Sequence, residues 1–202
     1  MGRLALIGGT GAGLYPQGQA AELVELPAGS WGAPSAVPRA WQVGAHELLF
    51  LPRHGVDGRI PPHRVNYRAN IDLLATWSPD AVVAMNAVGA IEAQYDFGGL
   101  VVPEQLIDYT YGRAHTYFDD RRSETEYIDF TNPYDDKIRL SLIKAAAAGE
   151  IPLSGEGTCG ITQGPRLETA AEIDRLERDG CTLVGMTGMP EAALARERGL
   201  PY

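Results

Sequence analysis

Apolar runs and glycine- or proline-rich loops follow one another along this chain in a regular order. Residues 4–7 form a short apolar run that empties into Gly8-Gly9-Thr10-Gly11, the pattern of a buried strand ending in a tight loop. The pattern recurs at residues 47–51 before Pro52-Arg53-His54-Gly55, at 81–85 before Asn86-Ala87-Val88-Gly89, and at 183–186 before Thr187-Gly188-Met189-Pro190. Pro190 suits the first turn of a following helix, where a missing N–H is no loss. Helical patterns lie between the runs, at residues 66–77, 134–148 and 167–178, and in the last of these Thr169 and Glu172 have capping-box spacing. Residues 103–132 are polar, aromatic and irregular, and read as an excursion over a site or toward a neighbouring subunit.

Strands alternating with helices predict an α/β fold: one domain over residues 1–202 with a central mixed, mostly parallel twisted sheet flanked by helices. Ligands of such sheets gather beyond the carboxyl ends of the strands, where the four loops are expected to converge. Composition leaves this picture unchanged, since 202 residues with 45% hydrophobic and 21% charged side chains suit one globular domain. The formal net charge of -9 argues against nucleic acid or anionic lipid as partners and in favour of small molecules. It also makes any locally positive anion site conspicuous. Cys159 and Cys181 show neither CxxC spacing nor nearby histidines, so two buried free thiols are expected, with no disulfide framework and no metal site. No apolar run reaches 18 residues and the N-terminal stretch lacks a long apolar region, so a cytoplasmic protein is expected.

The residues capable of chemistry sit at the strand ends. Gly8-Gly9-Thr10-Gly11-Ala12-Gly13 fits three readings: a dinucleotide loop, a plain turn, and a small-anion cradle using Thr10. Its spacing departs from GxGxxG, and no acid for a ribose hydroxyl ends a second strand about twenty residues on. At the next strand end, Arg53 can hold a phosphate bidentately and His54 can add a donor, although an Arg-His pair is commonly only solvated surface. Asn86-Ala87 and Met186-Thr187 offer main-chain N–H groups and a hydroxyl, and each alone also reads as an ordinary turn. His46, His63 and His115 lack metal-ligand spacing and read as hydrogen-bonded structural residues. Asp119-Asp120 reads as a solvated loop, and Asp135-Asp136 as a helix N-terminus, where negative charge is favourable.

Taken together, IGGTG, LPRHG, HRVNYRANI, NAVGAI, GPRLET and MTGMPEAALARERGLPY cover nearly the whole chain, and they resemble the trimeric purine nucleoside phosphorylases. Within that family the resemblance is to methylthioadenosine and methylthioinosine phosphorylases. The resemblance implies a nucleoside phosphorylase-like fold, a homotrimer, and inorganic phosphate as co-substrate without metal or cofactor. It implies that Thr10, Arg53, His54, Asn86, Ala87 and Thr187 bind phosphate and that Met186 lies against the ribose. The implied reaction is phosphorolysis of S-methyl-5'-thioinosine to hypoxanthine and 5-methylthioribose 1-phosphate. Methylthioadenosine, or inosine and guanosine, are alternative substrates; hydrolysis by a nucleosidase of similar architecture and a non-catalytic nucleotide-binding module are alternatives of other kinds.

Glu168 bears most directly on the substrate. The 6-oxopurine phosphorylases have Glu at this motif position and methylthioadenosine phosphorylases have Ser. An ionised carboxylate only accepts hydrogen bonds, so it suits N1–H of a 6-oxopurine and opposes the N1 lone pair of adenine. The other reading of Glu168 is a first-turn helix carboxylate. Tyr127 lies near where some relatives place a His that reaches a neighbour's 5' pocket. The family continues past the position of Tyr202 with a strand, a loop that contacts the purine through Asn or Asp, and a helix, so no catalytic residue is assigned within 1–202.

Overall fold

The computed structural model describes residues 2–12, 21–27, 29–119 and 124–202. The first apolar run becomes β1 (Arg3–Gly8), with Ala5 and Ile7 fully buried. β2 (Glu22–Leu23), β3 (Arg39–Val43), β4 (His46–Pro52) and β5 (Ala81–Met85) complete a five-stranded sheet in the order β2-β3-β4-β1-β5. β1 runs parallel to both β4 and β5, in a register that sets Gly8 between Pro52 and Met85. Three strands therefore finish side by side, and their following loops share one edge of the sheet.

The chain continues through β6 (Gly89–Ala90), β7 (Leu100–Val101), β8 (Gln105–Asp108), β9 (Leu153–Ser154), β10 (Thr158–Ile161) and β11 (Leu183–Gly185). A second sheet has the order β6-β11-β10-β8, and β7 pairs with β9. β10 is parallel to both β8 and β11, so the architecture is mixed and mostly parallel around each central strand. Two expectations are corrected here. The run at 183–186 joins the second sheet rather than the first, and Met186 falls in the loop after it. Residues 105–108, assigned by their polarity to an irregular excursion, form β8, because parallel pairing with β10 supplies an order that their half-buried side chains do not announce.

Helices α1 (Tyr67–Trp77), α2 (Asp136–Ala148), α3 (Ala170–Arg178) and α4 (Gly188–Glu197) cover the sheets. Asn66 starts α1 by accepting the Ala69 N–H, and Ser78 ends it in the left-handed region before Pro79. The buried face of α1 presents Ile71 and Leu74 to Ile7, Leu49 and Leu51 in the larger core, which Leu194 and Ala195 of α4 also enter. A smaller core holds Cys159, Ile161, Leu183, Met189 and Ala192. α4 thus contributes to both cores and connects the two sheets. The capping box of α3 forms as expected between Thr169 and Glu172, and Asp135 caps α2 through the Ile138 N–H. Among the described residues no helix is long and apolar enough to cross a membrane.

Candidate active site

The loops after β1, β4 and β5 are hydrogen-bonded to one another. Gly9 N–H donates to Met85 O at 2.9 Å, and Arg53 N–H donates to Gly8 O at 2.9 Å. Only glycine fits at position 9, since a Cβ there would meet Met85 O at 2.5 Å and Arg53 Nη1 at 2.8 Å. The Arg53 side chain has no exposed surface and runs beneath this junction. Its Nη1 donates to Met85 O at 3.1 Å, while Nε and Nη2 take the two carboxylate oxygens of Glu191 at 2.7 and 2.8 Å. The fork-to-fork pair lies wholly inside the protein, with its positive end toward the loops. Burial alone would lower the Arg53 pKa; the opposing charge and hydrogen bonds of Glu191 outweigh it and raise the pKa above its ordinary range. Tyr202 Oη donates to Glu191 Oε1 at 3.0 Å, and burial of that phenol holds its proton on.

The β11 loop closes the ring. Thr187 is nearly buried, and its hydroxyl donates to Asn86 Oδ1 at 3.2 Å. Because Glu191 stands one turn after Thr187 in α4, the ion pair to Arg53 ties the fourth loop to the other three. Thr10 and Ala87 are exposed at this edge. His54 is half-buried, with Nδ1 2.7 Å from Ile60 O; a carbonyl can only accept, so Nδ1 carries the proton and Nε2 is left for a ligand. The expected anion-site residues are therefore brought to one sheet edge, except that Arg53 lies below the surface. Gly13 of the first loop is outside the described residues.

Glu168 occupies a second arm of the site, after β10. It precedes Thr169, the cap of α3, so it is not a first-turn helix carboxylate; that place belongs to Glu172. Its Oε1 accepts the Thr162 hydroxyl, and Thr162 N–H donates to Gly185 O at 2.8 Å. A cavity of about 250 Å³ lies against Glu168, lined also by Tyr109, Tyr111, Gln163 and Arg166. This arm touches the β11 loop directly: a Cβ on Gly164, whose φ is +61°, would meet Met186 Sδ at 2.5 Å. A larger cavity of about 420 Å³ lies beside Tyr134 and Tyr202 and shares no lining residue with the cavity at Glu168.

Two residues of the site were not singled out by sequence reasoning. Glu191 reads locally as an ordinary helix acid, and its partner is 138 positions away. Arg113 lies in the irregular excursion, yet its guanidinium reaches Met186 O, Met189 O, Thr162 O and Gln163 O. Other residues are less central. His115 Nδ1 lies 3.2 Å from Arg113 O, as a structural histidine would, whereas His63 Nδ1 is buried without a hydrogen-bond partner among the described residues, contrary to expectation. Asp119 pairs with Arg68, and Asp120 is outside the described residues. Tyr127 is exposed. Cys159 and Cys181 are buried and free, and burial pushes the Cys159 thiol up to about 12. Among the described residues no three His, Cys, Asp or Glu side chains converge as metal ligands.

Comparison with known proteins gives the same outline. Residues 3–202 match the model of the phosphorylase superfamily. A probable S-methyl-5'-thioinosine phosphorylase of Xylella fastidiosa is 47% identical over 199 residues, covering 98% of this chain and 80% of that protein. A 6-oxopurine nucleoside phosphorylase of Pyrococcus furiosus is 40% identical over 208 residues, covering 100% of this chain and 77% of that protein. Among solved structures, methylthioadenosine phosphorylase of Schistosoma mansoni in apo form superposes with a TM-score of 0.91 at 29% identity, covering 100% of this chain and 78% of that one.

Proposed function

As a chain matched from residue 3 to residue 202, this protein belongs to the phosphorylase superfamily, and from that premise we propose that it cleaves S-methyl-5'-thioinosine with inorganic phosphate, releasing hypoxanthine and 5-methylthioribose 1-phosphate. The observation that carries the reading is the ring of strand-end loops closed by Arg53–Glu191 and Thr187–Asn86. It presents a hydroxyl at Thr10, an imidazole nitrogen at His54 and main-chain N–H groups at Asn86-Ala87 and at Thr187 to one small anion. Arg53, its charge balanced by Glu191, acts from beneath through its hold on Met85 O. An acidic chain that concentrates these donors on one edge is built to hold phosphate there.

Phosphate held beside the sugar attacks the anomeric carbon while the C–N bond to the purine breaks. The sugar gains positive charge in the transition state, and the bound dianion stabilises it from the attacking face. Fixing the two reactants in line contributes as much as about 7–11 kcal/mol by removing the need for a productive encounter. The protein supplies orientation and electrostatics, and phosphate is the only co-reactant the chemistry calls for. Met186 lies against the ribose, between phosphate and base.

Glu168 sets the choice of base. Thr162 occupies one carboxylate oxygen, and the other is available to N1–H of a 6-oxopurine. Adenine would face that oxygen with a lone pair, and an unpaired buried acceptor costs about 1–3 kcal/mol. The similarity to the Xylella fastidiosa protein supports the methylthio sugar. The working form is a cytoplasmic homotrimer, a reading that rests on the family alone. Assay of the purified chain with S-methyl-5'-thioinosine, methylthioadenosine and inosine, each with and without phosphate, tests the proposal. Phosphate-dependent turnover with the first substrate preferred is expected; preference for methylthioadenosine overturns the role of Glu168, and full-rate cleavage without phosphate overturns the mechanism.

A further inference from the structure

The base side and the anion side of the site are separate loops from separate strands, and something must set the distance between them. Packing there is lighter than under the first sheet: among the described residues the smaller core has Cys159, Ile161, Leu183, Met189 and Ala192 as its buried members. Beyond the strand ends, where Thr162 N–H donates to Gly185 O at 2.8 Å, one guanidinium ties the two loops together. Arg113 Nη2 donates to Thr162 O at 3.3 Å and Gln163 O at 2.9 Å, and Nε donates to Gln163 Oε1 at 3.1 Å, all on the β10 arm that leads to Glu168. Its Nη1 donates to Met186 O at 2.9 Å and to Met189 O, on either side of Thr187. The plane lies over the Tyr67 ring at 5.5 Å, and Tyr67 Oη is anchored on Pro62 O at 2.9 Å, just beyond the His54 loop.

Every donor of the fork is thus used on an acceptor of the site's own framework, and among the described residues Arg113 has no carboxylate within ion-pair distance. Carbonyls at strand ends lie outside the ladder and need partners when half-buried. A solvated surface arginine would satisfy its donors with water instead. A planar fork with five fixed donors can bridge two chains at once, whereas an ammonium group is a point with three donors and cannot reproduce that span.

We propose that Arg113 is the positioning residue that holds the Glu168 arm against the Met186-Thr187 loop, fixing the separation between purine and phosphate along the bond that is cut. The proposal rests on the phosphorolytic reading above and adds to it a residue that touches neither reactant. Its loss leaves Thr10, His54 and Asn86 in place but frees the loop that carries Thr187, so phosphate binding weakens less than the in-line presentation of the nucleoside.

Two measurements on Arg113→Ala and Arg113→Lys test it. In steady-state kinetics, Arg113→Ala is expected to lose about 100-fold in kcat/KM for the nucleoside, the scale of a misplacement of about 1 Å, with a much smaller rise in the KM for phosphate. Arg113→Lys recovers little of this, and added guanidinium ion restores a saturable part of the Arg113→Ala rate where equal sodium ion does not. Unchanged kinetics, full activity of the lysine variant, a loss confined to the phosphate KM, or a loss without guanidinium rescue overturns the proposal. Hydrogen exchange supplies the second readout and needs no turnover: exchange should rise together at residues 160–168 and 186–190 and stay unchanged in α1, and a rise at only one segment, or at neither, overturns it. Should the alanine variant not fold, the lysine variant is read by the same two criteria. Absence of phosphorolysis by the unmodified chain overturns the functional reading alone, and the exchange result then still decides the role of Arg113.

Discussion

Around β1, β4 and β5 the chain buries Ala5, Ile7, Leu49, Leu51, Ile71, Leu74 and Trp77 in one continuous core, and the anion-side loops stand on that core. Around β10 and β11 the core is smaller, with Cys159, Ile161, Leu183, Met189 and Ala192 at its centre and Leu176 and Cys181 buried against Gly160, and polar ties add to it. Arg113 spans two loops, Arg139 holds Pro103 O and Gly155 O, and the Thr182 hydroxyl accepts the Thr158 N–H. The difference assigns different tasks to the two halves. On the proposed function, the phosphate common to every reaction of this kind is held by loops that rest on packing that tolerates little change. On the same proposal the base arm discriminates between substrates, and hydrogen bonds of this sort can be exchanged residue by residue without dismantling a core.

The sharpest way to break the packed half is to strand its buried charge. Glu191→Ala leaves the Arg53 guanidinium without a partner in a place with no exposed surface, and a loss of about 3–5 kcal/mol is expected. Denaturant unfolding measures it; a loss under about 1 kcal/mol would mean that water reaches Arg53. Next comes the core beneath the anion loops. Ile71→Ala should cost about 2–5 kcal/mol in the same experiment and leave the ranking of nucleoside substrates unchanged. A changed ranking would show that packing under the first sheet also tunes the base arm.

The base arm should respond in the opposite sense. Glu168→Ser removes the acceptor without touching either core, so stability should hold within about 0.5 kcal/mol, as for substitutions outside packed regions. The ratio of kcat/KM for methylthioadenosine to that for S-methyl-5'-thioinosine should rise roughly ten- to a hundredfold, the worth of about 1–3 kcal/mol. An unmoved ratio removes Glu168 from base recognition. Thr169→Ala, just beside it, deletes the cap of α3 and should cost about 1 kcal/mol of stability.

The smallest effect sharpens the comparison by pH. Arg166 and the Thr169 N–H hold the Glu172 carboxylate down to about 2, against an ordinary 4.5. A carboxylate lowered on folding stabilises the protein above its unfolded value, and that contribution fades as pH falls from about 4.5 toward about 2. The Tm deficit of Glu172→Gln should therefore be present near neutrality and close over that interval. A deficit that persists below it would assign the effect to helix packing rather than to the charge.

Legibility in the sequence divides along the same line. The packed half was readable, because β1, β4 and β5 are apolar runs ending in Gly8, Pro52 and Met85, and a buried strand writes its burial into consecutive residues. The capping box at Thr169 and the helix N-terminus at Asp135 were readable for a related reason, since each bond closes within four residues. The polar half was readable in part: β11, α3 and its cap were found, and its long-range partners were not. β8 is only partly buried and takes its order from β10, more than fifty positions on. Glu191 looks like any first-turn acid until α4 is placed against β4, and Arg113 looks like loop surface until β10 and β11 are paired. Long-range polar contacts leave no period in the chain, so the residues that join the halves of the site emerge only from its folding.

Transfer of phosphate to the sugar can be watched directly. Phosphorus NMR of the purified chain with S-methyl-5'-thioinosine and inorganic phosphate should show a sugar 1-phosphate resonance growing in step with hypoxanthine while inorganic phosphate declines by the same amount. Release of hypoxanthine with the phosphate signal undiminished would mean that water, not phosphate, attacks the anomeric carbon, and would contradict the reading of the strand-end loops as its cradle.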